Sequence, residues 1–134
     1  QPFIQIRRPY MKVLVVDDFA TMRKIIKNVL KQINVDSILE AENGKHALTV
    51  LKGDAVDLII SDWIMPEMTG IEFLKACKAD DAIKKIPFIM VTAEAQKDNI
   101  MEAIKSGVDN YIVKPFTPEK LKDAIDKAKA RAAQ

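Results

Sequence analysis

The sequence predicts a single doubly wound α/β domain, a five-stranded parallel sheet with five helices. Three observations carry that expectation. Five short apolar runs, rich in β-branched residues, recur along the 134 residues. Each is followed by a segment of helical periodicity. The runs are also too apolar to leave one face in water, so helices must cover the sheet on both sides. Short right-handed crossovers then join consecutive strands.

The first run is 12–16 (KVLVV), a length that suits a strand and not a helix. Met22, Ile25, Ile26, Val29, Leu30 and Ile33 then follow an i, i+3, i+4, i+7 stripe, with Arg23, Lys24, Lys27 and Lys31 mostly off it: an amphipathic helix. A second run at 37–41 leads to a helix over 44–51, a third at 58–61 to one over 70–78, and a fourth at 88–92 to one over 97–105. A fifth run at 110–113 precedes a helix over 117–132, with Thr117 placed as N-cap and Pro118 at the first helical position, where its missing N–H costs nothing. Gly53, Gly107 and the Ile86-Pro87 pair read as helix stops and strand entries.

Composition narrows the class. One cysteine, Cys77, excludes an intrachain disulfide and a thiolate zinc site, and predicts a reducing, cytoplasmic location. The uncharged apolar runs fall far short of the roughly 20 residues of a membrane span, so no membrane association is expected. The net charge of +2 lies wholly in Arg7 and Arg8, since residues 1–10 contain no acid. The expectation is that Met11 is the native start, that 1–10 are a foreign leader, and that 11–134 form the domain. Beyond residue 10 the bases and acids balance at 19 each, which argues against nucleic acid as a partner.

Ligands of open α/β sheets bind beyond the carboxyl ends of the strands. Asp17 and Asp18 stand there after the first run, Asp62 after the third, Thr92 at the end of the fourth and Lys114 after the fifth. Three converging carboxylates repel unless a cation holds them, and Mg2+ suits carboxylates, waters and phosphate oxygens. An ammonium and a hydroxyl opposite that ion would serve the remaining oxygens of a phosphoryl group. Each residue has a plainer reading alone: Asp17 or Asp18 as a helix cap, Asp62 as a loop acid, Thr92 as a cap, Lys114 as a surface lysine. Five of them at four strand ends outweigh those readings taken singly. His46, the one histidine, reads as a solvated side chain, and the six methionines as core filling.

The segments VLVVDDFATMRKI, LIISDWIMPEMTGIEFL, MVTAEA and YIVKPF resemble the response-regulator receiver domain, most closely its chemotaxis branch, over residues 11–130. The resemblance implies a flavodoxin-like sheet of order 2-1-3-4-5, an order the residues themselves do not dictate. It implies Asp62 as phosphoacceptor, with Asp18, Asp62 and the backbone carbonyl of Ile64 ligating Mg2+ (or Mn2+) and Asp17 acting through a metal-bound water. Thr92 and Lys114 would hold phosphoryl oxygens, and the Lys114-Pro115 bond would be cis. Thr92 and Tyr111 would be the switch pair, and Ile64, where chemotaxis relatives suggest Asn, would govern phosphoryl lifetime together with Glu94. Trp63 would report the site by fluorescence. The implied protein is a monomeric, single-domain response regulator of a two-component system, a signalling switch that assists its own phosphorylation and dephosphorylation. It would be phosphorylated by a chemotaxis-type histidine kinase, served by a phosphatase, and directed to a flagellar motor switch protein. A stand-alone phosphate shuttle and a receiver taken from a longer regulator are the alternatives. Rival chemistries fit less well: another phosphotransferase would want an acid where Ile64 stands, and no GxxxxGK[ST] or GxGxxG offers a nucleotide loop.

Overall fold

A computed structural model describes residues 11–35, 37–93 and 97–132. The strands are β1 (Lys12–Val16), β2 (Ser37–Ala41), β3 (Leu58–Asp62), β4 (Phe88–Thr92) and β5 (Asn110–Val113). The helices are α1 (Ala20–Gln32), α2 (Gly44–Gly53), α3 (Gly70–Ala79), α4 (Lys97–Lys105) and α5 (Pro118–Ala132). They alternate along the chain, and the strands pair in parallel in the order β2-β1-β3-β4-β5. Class and order are those expected. The leader 1–10 lies outside the described residues, and so does Glu94.

Side chains alternate between the faces of a strand, so the apolar runs split into two cores. Leu14, Val16, Ile59, Phe88 and Met90 pack with Ala47 and Leu51 of α2, Ile71, Phe73, Leu74 and Cys77 of α3, and Ala103 of α4. On this side the Phe73 and Phe88 rings meet with centroids 5.4 Å apart, tilted by 56°. Val13, Val15, Leu58, Ile60, Ile89 and Val91 face the other way, onto Ile26, Val29 and Leu30 of α1 and Leu121, Ala124, Ile125 and Ala128 of α5. Each Val, Leu or Ile side chain among these contributes about 1.5–3 kcal/mol when removed from water. This burial on both faces is why the central strands read as unbroken apolar runs. Buried Cys77 is held well above its ordinary thiol pKa, up to about 12, by desolvation, so it stays a protonated core residue.

Local chemistry sets most boundaries. Thr69 and Glu72 close a capping box on α3, at 3.1 and 2.8 Å. Thr117 caps α5 as expected, its Oγ1 accepting from the Lys120 N–H at 3.1 Å. Gly107, at φ +96°, ends α4, with the Val108 N–H turned back to the Ala103 carbonyl at 3.0 Å. Gly53 is the last residue of α2, the stop expected of it, and the extended Asp54 follows as C-cap. β3 runs one residue beyond its apolar stretch and includes Asp62. No helix among the described residues is long and apolar enough to cross a membrane.

Candidate functional site

Parallel register brings four strand ends to one rim, with Val16 opposite Ser61, Asp62 opposite Val91 and Thr92 opposite Val113. All five residues expected there meet. Asp17, Asp18 and Asp62 each offer a carboxylate oxygen, and the three oxygens lie within 4.8 Å of one another. Lys114 Nζ stands 3.4 Å from Asp62 Oδ1 and 3.9 Å from Asp17 Oδ2. Its backbone N–H donates to the Thr92 carbonyl at 2.7 Å, tying the ends of β4 and β5 together, and the Lys114-Pro115 bond is cis. Asp18, Asp62, Thr92, Lys114, Phe19, Trp63, Ile64, Ala93 and Asn99 line an open cleft of about 560 Å3.

Neither acid of the pair caps α1. Phe19 holds the N-cap position with no side-chain bond, and Asp17 instead accepts the Phe19 N–H on Oδ1 at 2.9 Å. Among the described residues, Asp17 Oδ2 and Asp18 Oδ1 are buried with no hydrogen-bond partner. Such orphaned anionic acceptors are costly unless a cation takes them up. Burial raises the pKa of Asp17, and the neighbouring Asp62 and Asp18 charges push the same way against the Phe19 N–H and Lys114. Burial likewise raises Asp62, opposed by Lys114 and the Trp63 N–H and aided by Asp18.

The response regulator receiver domain family matches residues 13–126. The chain belongs to that family. This receiver is 50% identical over 117 residues to the chemotaxis protein CheY of Pseudomonas aeruginosa, covering 87% of this chain and 94% of that protein. It is 49% identical to CheY1 of Helicobacter pylori over the same length, again covering 87% and 94%. Among solved structures, CheY4 of Vibrio cholerae superposes with a TM-score of 0.81 at 34% identity, covering 89% of this chain and 98% of that one. The receiver is accordingly a response regulator of chemotaxis-type two-component signalling, a switch and not a classical enzyme. Receiver domains bind Mg2+ at an acidic pocket, and the orphaned oxygens of Asp17 and Asp18 beside Asp62 fit such an ion.

Other expected positions stand apart from the acids. Ile64 follows Asp62 by two residues with its side chain thrust into solvent at the cleft mouth, 78% exposed. Tyr111 lies on the edge strand β5, 36% exposed, opposite Met90. His46 is exposed, its Nδ1 facing the Glu42 N–H at 3.4 Å, in line with a solvated side chain.

Three neighbours were not legible as site residues: Phe19, Asn99 and Gly70. The last reads as a loop and helix entry, but it has a stricter reason. The Gly70 N–H donates to the Trp63 carbonyl at 2.7 Å, and a Cβ there would meet the Asp62 carbonyl oxygen and sit 2.9 Å from Trp63 Cα. The start of α3 thus leans on the backbone that carries Asp62. Gly70→Ala should therefore destabilise the receiver by about 1–3 kcal/mol, although alanine is the better helix former. Urea unfolding measures this, and a raised midpoint would contradict it.

Proposed function

We propose that this receiver accepts a phosphoryl group on Asp62 from a chemotaxis-type histidine kinase and signals by binding a flagellar motor switch protein when phosphorylated. The observation that carries the reading is Asp62 at the end of β3, beside Asp17 and Asp18 and 3.4 Å from the Lys114 ammonium. An Asp62 oxygen attacks phosphorus, the bond from phosphorus to the donor breaks, and a mixed anhydride results. Lys114 stays within reach to pair with the charge that gathers on the phosphoryl oxygens, and Thr92 Oγ1 donates to one of them. Asp18, Asp62 and the Ile64 carbonyl would hold Mg2+ (or Mn2+), with Asp17 acting through a water, and the ion would supply further neutralisation of those oxygens. Thr92, drawn toward the phosphoryl group, lets Tyr111 turn inward and reshapes the face of α4, β5 and α5 for its partner.

The receiver hydrolyses its own anhydride in the same cleft, with a phosphatase as a further partner, and works in the cytoplasm as a monomer. Residues 11–134 would be the working domain. Incubation with acetyl phosphate and Mg2+ should add one acid- and hydroxylamine-sensitive phosphoryl group by intact mass and change Trp63 fluorescence. Phosphorylated protein should then bind a motor-switch peptide more tightly than unphosphorylated protein. Phosphorylation with no gain in affinity would favour the phosphate-shuttle reading.

Ile64 and Glu94 would govern how water reaches the anhydride. Ile64 offers no hydrogen bond to an incoming water, whereas an amide at its exposed position could orient one. Ile64→Asn should shorten the phosphoryl lifetime severalfold without abolishing phosphorylation, and an unchanged dephosphorylation rate would count against this.

A further inference from the structure

Arg23 reads in the sequence as a cation on the polar face of α1, yet its side chain is only 17% exposed. Its guanidinium makes two directed bonds. Nη1 donates to the backbone carbonyl of Asp17 at 2.7 Å, and Nε donates to Glu40 Oε1 on β2 at 2.9 Å. The other oxygen of Glu40 takes Lys27 Nζ at 2.8 Å, so the carboxylate is held from both sides by α1.

The Asp17 carbonyl lies in the peptide plane that joins Asp17 to Asp18. Because that plane is rigid, fixing the direction of its oxygen fixes how the two acidic residues are presented. The remaining bonds of Asp17 point the same way: its N–H donates to the Ala41 carbonyl at 3.1 Å, and its Oδ1 accepts from Phe19. Neither of these restrains the far side of the Asp17–Asp18 plane, and Arg23 does. Glu40 accompanies the guanidinium and offsets its charge, so the contribution is one of geometry more than of field.

We propose that Arg23 is a positioning residue for the cation site. By gripping the plane between Asp17 and Asp18 it holds their orphaned carboxylate oxygens at the spacing a divalent ion needs, while Glu40 fixes the guanidinium. This rests on the reading of the acidic trio as a Mg2+ site. Lysine cannot replace the grip, since a single ammonium lacks the fork that reaches the carbonyl and Glu40 together.

The test is Mg2+ titration at constant ionic strength, followed by calorimetry and by Trp63 fluorescence, on wild type, Arg23→Ala, Arg23→Lys and Glu40→Gln. Arg23→Ala and Arg23→Lys should both raise the Kd for Mg2+, roughly 10-fold for alanine, the lower end of the range for losing an outer hydrogen bond, because Arg23 grips the backbone between the acids and not a ligand atom. Glu40→Gln should raise it less, and the Arg23→Ala/Glu40→Gln double variant no further than Arg23→Ala alone. At saturating Mg2+ the phosphorylation rate from acetyl phosphate should return close to that of wild type, a split between binding and chemistry that a merely structural role would not produce. A wild-type Kd in Arg23→Ala, or in Arg23→Lys, would overturn the inference even if the urea midpoint fell. A wild type that takes up no Mg2+ would overturn the cation site itself, and the role of Arg23 with it.

Discussion

Asp62→Asn should suppress labelling by acetyl phosphate and Mg2+ by at least about a thousandfold while the protein remains folded. An amide oxygen is a far poorer nucleophile than a carboxylate. Asp17 is 1% exposed and spends one oxygen on the Phe19 N–H, and Asp18 Oδ1 is buried. Lys114 approaches Asp62 most closely, at 3.4 Å, so the ammonium that would neutralise a transferring phosphoryl group is aimed at this acid. The substitution is nearly isosteric, and Asp62 stands at the open end of β3, outside both apolar cores. Intact mass and far-ultraviolet circular dichroism together separate loss of chemistry from loss of fold. Residual label that mapped to Asp17 or Asp18 would overturn the assignment, as would labelling equal to wild type.

The residues behind that prediction were legible because each lies directly at the end of an apolar run. Once a run is recognised as a strand of a parallel sheet, its carboxyl end is located, and Asp17, Asp18, Asp62, Thr92 and Lys114 fall on one rim without knowledge of any contact. Residues that act through distant contacts were not legible. Gly70 is constrained by the backbone of Asp62 and Trp63, and Arg23 is fixed by Glu40, 17 residues away on another element. Helical periodicity placed Arg23 on a polar face, which is correct for the helix alone. It says nothing of the edge strand that covers it. The capping alternative for Asp17 failed for a similarly local reason: its carboxylate bonds the N–H two residues on, leaving the N-cap position to Phe19.

In the absence of divalent cations the contribution of Asp17 and Asp62 to stability should fall as pH rises through their raised pKa values, and Asp17→Asn should make the receiver more stable at pH 7 by about 1–2 kcal/mol. Like charges within 4.8 Å cost roughly 3 kcal/mol per pair at an effective dielectric constant near 20. Lys114, at 3.4 and 3.9 Å from two of the acids, offsets only part of that. Burial of Asp17 and Asp62 adds to the repulsion, and both groups have pKa values above the ordinary 3.8. With folded values raised, the native state binds more protons than the unfolded chain between 3.8 and those raised values. Their favourable contribution is therefore complete below the ordinary carboxylate pKa and is lost as pH climbs through the raised ones. Glu40 runs the opposite way: bonded first to Lys27 and then to Arg23, its pKa lies below 4.5, so its contribution is present above that value and fails only in more acidic solution. Urea midpoints across this range, with and without Mg2+, test the balance. Mg2+ at a hundred times its Kd should restore about 2.7 kcal/mol to the wild type at pH 7 and less to Asp17→Asn, whose amide keeps the bond from Phe19 but removes one charge. A metal-free Asp17→Asn less stable than wild type at pH 7 would show that the trio is not under electrostatic strain. If it is, the free energy withheld from folding by three crowded carboxylates is what the cation recovers on binding, so the same repulsion that weakens the empty receiver gives the site its affinity.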